Sequence, residues 1–89
     1  MTPQDKAQQC AEIMGWFEWD GKYMKYLTPP TSEYVIDVGD FDPVNTDHSD
    51  LFSEWLAGQD SHELDHLLYR STPAEFTDAF LQAFGGNDV

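Results

Sequence analysis

Residues 16–27 read WFEWDGKYMKYL, and this stretch decides the fold of the chain. Two aromatic runs flank Asp20-Gly21, a dipeptide that favours the two-residue turn of a β-hairpin because both turn positions need a positive φ. Strand alternation then predicts one shared face for four large side chains: Phe17, Trp19, Met24 and Tyr26. The aromatic residues here either pack within the fold or anchor an interface: Trp16, Trp19, Tyr23 and Tyr26.

A third strand follows the hairpin in the sequence. The segment EYVIDV (33–38) alternates with the period of a strand, and it predicts that Tyr34, Ile36 and Val38 point inward. The intervening TPPTS (28–32) is rich in turn-forming residues and is predicted to be a loop.

Helix signals surround these strands. Thr2-Pro3 predicts a helix start, and Gly15 a helix end, around a buried stripe of Ala7, Cys10, Ala11 and Met14. A second helix is predicted over 47–57, with Leu51, Phe52, Trp55 and Leu56 on one face. A third begins with Asp60 or Ser61 as its cap and carries Leu64, Leu67 and Leu68 on its buried face. The last starts at a capping box, Thr72 to Glu75, and bears one stripe of Phe76, Ala79, Phe80, Ala83 and Phe84.

The predicted order is therefore α-β-β-β-α-α-α. We expect an α+β fold in which a three- or four-stranded antiparallel meander packs against several helices. Its length of 89 residues fits a single compact domain over 1–89.

The charge of the chain restricts its partners. Seventeen Asp and Glu residues face four Lys and Arg, which gives a formal net charge of −13. Nucleic acid and anionic membranes are therefore excluded as expected direct partners, and a basic protein surface is favoured. A single cysteine, no signal-peptide pattern and no membrane-length apolar run predict a protein of the cytoplasm.

The acidic residues are concentrated between Tyr26 and Tyr69, where the chain has no Lys or Arg. A surface of one sign attracts a cationic partner, and the most cationic protein surfaces are those that bind nucleic acid. A solvated acidic face without a partner is the alternative that the sequence leaves open. The candidate contact residues are Glu33, Asp37, Asp40, Asp42, Asp47, Asp50, Glu54, Asp60, Glu63 and Asp65.

Residues 62–66 read HELDH, the spelling of a zinc-protease helix. His62 and His66 could share a zinc ion, with Glu63 as the general base and Glu75 or His48 as a third ligand. Asp65 is charged where such helices are apolar, and the extended ligand motif does not follow. The acids of 37–50 likewise depart from the calcium-loop pattern. We therefore expect no metal, no cofactor and no enzymatic activity, with a small zinc protein as the remote alternative.

Part of the chain resembles a known family. Trp19-Asp20-Gly21, Tyr23 and Lys25-Tyr26 look like the hairpin of the small acidic anti-CRISPR proteins of phages. The likeness continues as scattered identities to Tyr69, at Tyr34, Ile36-Asp37, Asp40, Asp42, Trp55-Leu56, Glu63-Leu64 and Leu67-Leu68. The protein that this part of the chain resembles is an inhibitor of the type I-F surveillance complex. That inhibitor is a DNA mimic that occupies the lysine-lined groove of the Cas8-type large subunit.

The resemblance implies a phage protein, acting in the cytoplasm of an infected bacterium, that blocks the DNA-binding groove of a type I Cascade subunit. The implied protein is a monomer or small homo-oligomer. The helix over 72–84 departs from that inhibitor. It is similar instead to the endings of small phage ABA-sandwich proteins, which leaves a different host or virion partner as the alternative.

Overall fold

The computed structural model describes residues 2–28, 31–59 and 62–85, and of Thr28 and His62 it describes the backbone alone. The described part has one antiparallel sheet of three strands in the order β1-β2-β3, together with four α-helices. This confirms the α+β meander, with three strands rather than four. The elements are α1 (Pro3–Ile13), β1 (Trp16–Trp19), β2 (Lys22–Thr28), β3 (Thr31–Asp37), α2 (Ser49–Leu56), α3 (His62–Leu68), α4 (Pro73–Phe80) and a π-helical turn (Leu81–Gly85).

Local signals place the ends of α1 and α4. The Thr2 side chain accepts a hydrogen bond from the Asp5 backbone, and the Asp5 carboxylate accepts one from Thr2 in return. Thr72 and Glu75 form the same reciprocal pair at the start of α4. Because each box satisfies amides that have no partner within the helix, both starts fall where the sequence predicts them.

The Asp20-Gly21 turn forms as predicted. Asp20 has a φ of 54° and Gly21 a φ of 77°, and Trp19 pairs directly with Lys22 across the hairpin. The prediction of a loop over 28–32 is too long, since β2 extends to Thr28 and β3 begins at Thr31. Pro29 and Pro30 lie outside the described residues.

A β-bulge in the third strand overturns one predicted orientation. Tyr23 pairs with Ile36, but the next residue, Met24, pairs with Tyr34, so Val35 is an extra residue. Val35 and Ile36 both pack against the core, whereas Tyr34 is 49% exposed. The prediction that Tyr34 points inward is wrong because one inserted residue reverses the alternation of the strand.

The core connects the inner face of the sheet to the helices through aromatic rings. Trp16 and Tyr23 project from the sheet onto Phe41, with ring centroids 5.2 and 5.7 Å away. Phe41 in turn faces Phe52 of α2, whose ring lies 5.0 Å from that of Phe80 in α4. The sheet and the helices therefore share one core.

Helices α2, α3 and α4 differ from prediction in detail. Helix α2 begins at Ser49, two residues after the predicted start, and buries Phe52 and Leu56. In α3, Leu64 and Leu68 are buried but Leu67 is 37% exposed, so its predicted inward position is wrong. The predicted start of α3 at Asp60 or Ser61 lies outside the described residues.

The stripe predicted for the last helix does not continue as α-helix past Phe80. Residues Leu81–Gly85 form the π-helical turn, in which Ala83 is exposed. Phe84 is 37% exposed, and its ring still lies 5.0 Å from that of Trp55.

One buried hydrogen bond ties the segment before α2 to α4. The Thr77 hydroxyl donates to the Pro43 carbonyl oxygen over 2.7 Å, and both residues are fully buried. A buried carbonyl without a partner is costly, so this bond fixes the course of the chain after β3.

We predict that Thr77→Val lowers the free energy of unfolding by about 1–3 kcal/mol, because the shape is kept while the Pro43 carbonyl loses its donor. Thr77→Ser is the matched control: it retains the hydroxyl and loses one methyl group, at about 1 kcal/mol. Urea unfolding followed by circular dichroism measures both. A Thr77→Val variant as stable as the parent would contradict this role.

Candidate protein-binding surface

The acids predicted as contacts follow one another along three elements and one connecting segment. Glu33 and Asp37 lie on β3, and Asp50 and Glu54 on α2; α3 carries Glu63 and Asp65. The segment between β3 and α2, residues 38–48, is named the acidic loop and holds Asp40, Asp42 and Asp47. Asp60 lies outside the described residues. Of the nine described acids, Asp37 and Asp42 are half-buried and the other seven are exposed.

Two of these acids form ion pairs, although the stretch from Tyr26 to Tyr69 has no Lys or Arg of its own. The Lys25 ammonium lies 2.8 Å from the Glu54 carboxylate and 3.4 Å from that of Glu33. The hydrogen bond that the Lys25 ammonium donates to Glu54 is the main cause that raises the pKa of Lys25. Lys25 is one residue outside the cation-free stretch, and strand pairing brings it opposite Glu33. Glu33 and Glu54 are therefore partly neutralised.

Two other acids hold the backbone of the acidic loop. Asp42 accepts hydrogen bonds from the backbone and side-chain amides of Asn45, at 3.4 and 3.0 Å. Asp47 accepts one from the Ser49 amide, at 2.9 Å, where α2 begins. Both are local turn contacts of the kind Asp commonly makes. Their carboxylates are needed for loop geometry whether or not they also meet a partner.

Four of the contact acids, besides the half-buried Asp37, form neither an ion pair nor a side-chain hydrogen bond with any residue within 2–28, 31–59 and 62–85. All four are exposed to solvent. They are the acids most available to a cationic partner: Asp40, Asp50, Glu63 and Asp65.

His48 is built into the acidic loop in its neutral form. Its Nε2 accepts a hydrogen bond from the Asp42 amide at 3.2 Å, which requires that nitrogen to be unprotonated. Its ring also packs 5.2 Å from that of Phe41. Burial lowers the pKa of His48 below its ordinary 6.5, and the carboxylates of Asp42 and Asp47 oppose that shift.

The HELDH segment does form a helix, α3. Leu64 is buried, while Glu63, Asp65 and His66 are exposed. Glu75, a candidate third zinc ligand, accepts hydrogen bonds from the backbone amide and the hydroxyl of Thr72 in the capping box. Within the described part of the chain, no three His, Cys, Asp or Glu side chains are grouped as metal ligands.

The single cysteine belongs to the core. Cys10 is fully buried in α1, and burial raises the pKa of its thiol to about 12. A thiol with that pKa is protonated at neutral pH and is a poor nucleophile.

The two faces of the sheet divide the aromatic residues of the hairpin. Trp16 and Tyr23 are buried on the inner face, whereas Trp19 and Tyr26 are each 64% exposed. Tyr34 joins the exposed set because of the bulge. Sequence reasoning missed Tyr34 as a surface residue, and no local pattern marks where the extra residue occurs.

No protein-family model, curated protein or solved structure matches this chain significantly. None of the described helices is both long and apolar enough to cross a membrane.

We predict that His48 makes the stability of the domain depend on pH. Its pKa is lower folded than unfolded, so its contribution is complete above pH 6.5 and is lost as the pH falls through the folded pKa. His48→Gln keeps an acceptor near Nε2 without a titrating group. The difference in unfolding free energy between parent and variant should therefore shrink on acidification, by at most about 1.4 kcal/mol per pH unit.

Urea unfolding of both proteins between about pH 7.5 and pH 5 tests this prediction, because the other titrating groups are common to the two. Parallel pH profiles for parent and variant would contradict it.

Proposed function

We propose that this chain is a non-enzymatic inhibitor that occupies a basic, nucleic-acid-binding protein surface. The observation that carries the proposal is the set of four exposed contact acids that form neither an ion pair nor a side-chain hydrogen bond in the described structure: Asp40, Asp50, Glu63 and Asp65. Exposed carboxylates on a chain with a net charge of −13 attract the Lys and Arg side chains that otherwise bind phosphates.

The internal contacts of the chain support a binding role for this surface. Lys6 forms an ion pair with Asp78 over 2.7 Å, and Lys25 forms ion pairs with Glu33 and Glu54. Two of the four cationic side chains are therefore paired with acids other than the four that carry the proposal. Self-repulsion among unpaired carboxylates disfavours the compact state. A cationic partner relieves that repulsion, which favours association.

The target that we propose is the DNA-binding groove of a type I CRISPR surveillance complex. This choice rests on the resemblance of the segment from Trp19 to Tyr69 to a phage-encoded DNA mimic. In this proposal the acids substitute for phosphates, and the chain competes with target duplex for the same lysines.

Displacement of labelled target duplex from reconstituted type I surveillance complexes tests the target. We expect the chain to release the duplex from at least one subtype in proportion to its concentration. Its own Kd for that complex should rise by about tenfold or more between ~50 and ~200 mM salt, because ion pairs are screened. Lack of displacement from every type I subtype would refute the target.

Paired charge variants test the surface. We predict that Asp40→Asn/Asp50→Asn weakens binding about tenfold, or ~1.4 kcal/mol, because two unpaired contact acids are lost. Glu12→Gln/Glu18→Gln is the matched control, because it removes the same charge from two exposed acids outside the predicted contact set. Both acids lie near Tyr23, whose pKa is raised mainly by desolvation and further by these two carboxylates. The control should bind within about twofold of the parent.

Isothermal titration against the complex measures both variants, with thermal melts to verify folding. Equal losses would mean that net charge alone drives binding, and the contact acids would then be wrongly assigned.

A further inference from the structure

The outer face of the sheet is an aromatic surface that the acids do not explain. Strand register puts five large side chains on it, and no described helix or loop covers the three most exposed. Trp19 and Tyr26 are each 64% exposed and Tyr34 is 49% exposed. We name this set the aromatic sheet face: Phe17, Trp19, Met24, Tyr26 and Tyr34.

These side chains form a continuous surface. Phe17 pairs with Met24, and Met24 pairs with Tyr34, so one row crosses all three strands. The rings of Phe17 and Tyr26 stack with centroids 4.5 Å apart and planes inclined by 23°. Stacking restrains the exposed Tyr26 ring, and a restrained ring loses little conformational entropy when a partner binds.

The aromatic sheet face is electronegative. The face of an aromatic ring carries the negative part of its quadrupole. Asp37 shares the outer side of β3 with Tyr34, and the pKa of Tyr34 is raised, first by desolvation and then by the Asp37 carboxylate. Asp20 follows Trp19 directly in the exposed turn, and Lys22, opposite Asp37 in the register, supplies one positive charge at that end.

These charges decide between the possible occupants. A second copy of the chain would bring another net charge of −13 against this surface, and a nucleic acid would bring phosphates. An arginine side chain complements it fully, since a planar guanidinium stacks on Trp and Tyr rings while its N–H groups reach a neighbouring carboxylate. A lysine ammonium matches the charge but has no plane to stack.

We propose that the aromatic sheet face is a docking surface for arginine side chains of a cationic protein partner. Guanidinium groups lie on Trp19, Tyr26 and Tyr34, with Asp37 as the carboxylate beside Tyr34. This goes beyond the proposed function, because it assigns a separate surface and holds for any arginine-bearing partner, whether or not that partner is a CRISPR complex.

Two synthetic peptides of equal length and charge test the proposal, one with arginines and the other with lysines at the same positions between Gly and Ser. We expect the arginine peptide to bind about fivefold more tightly at ~150 mM salt, a difference of ~1 kcal/mol. In NMR titrations the indole N–H of Trp19 should shift with the arginine peptide, while that of the buried Trp16 should not.

Variants test whether the aromatic sheet face is the source of the arginine preference. Trp19→Thr/Tyr26→Thr replaces two of the three exposed rings by a residue suited to strands and should reduce the fivefold preference to less than about twofold, with Tyr34 as the ring that remains. Tyr69→Thr is the matched control, because Tyr69 is 67% exposed and lies just after α3, away from the sheet. It should keep the preference, as should Asp40→Asn/Asp50→Asn. Thermal melts establish that each variant is folded.

Equal affinity for the two peptides would overturn the proposal, and so would a preference that stays fivefold in Trp19→Thr/Tyr26→Thr. Sedimentation velocity tests whether a second copy of the chain occupies the aromatic sheet face. A dimer that dissociates in this double variant would assign the face to self-association instead. Arginine preference and duplex displacement are measured on different partners. Failure of one is therefore distinguishable from failure of the other.

Discussion

The position of one ring, that of Phe41, organises the molecule. It is 3% exposed, although it lies between Asp40 and Asp42 in the most acidic part of the sequence. On one side it contacts Trp16 and Tyr23 of the sheet, and on the other Phe52 of α2. Burying a ring of this size stabilises by about 1.5–3 kcal/mol. Because that ring belongs to the acidic loop, the loop is held against the core while its carboxylates stay in water.

The features that the sequence predicts well are those determined within a few residues. Thr2, Asp20-Gly21 and Thr72 each act on their own backbone, so the helix starts and the hairpin turn need no knowledge of the rest of the chain. The orientation of Tyr34 is predicted wrongly, and the ion pairs of Lys25 are not predicted at all, for the opposite reason. The first depends on a bulge that only strand pairing reveals, and the second on Glu54, which is 29 residues away and is brought close by the packing of α2.

The candidate site shows the same division. Composition and spacing identify the acids, but they do not separate Asp42 and Asp47, which hold the loop, from Asp40 and Asp50, which face solvent. That distinction requires the hydrogen bonds. Under the two proposals, the acids and the aromatic sheet face give the chain two kinds of attraction for a cationic partner. Charge acts at long range and weakens with salt, whereas ring stacking acts at contact and is less sensitive to it.

The extra residue in β3 has a consequence for how such a chain can evolve. Because Val35 is the residue without a partner, deleting its codon would join Ile36, opposite Tyr23, directly to Tyr34, opposite Met24, and the alternation would become regular. Tyr34 would stay on the outer side and Glu33 opposite Lys25, while the core would lose the contacts of the Val35 side chain. The strand can therefore shorten by one residue at this position without exchanging its two faces, whereas a deletion on either side of the bulge would turn neighbouring side chains over.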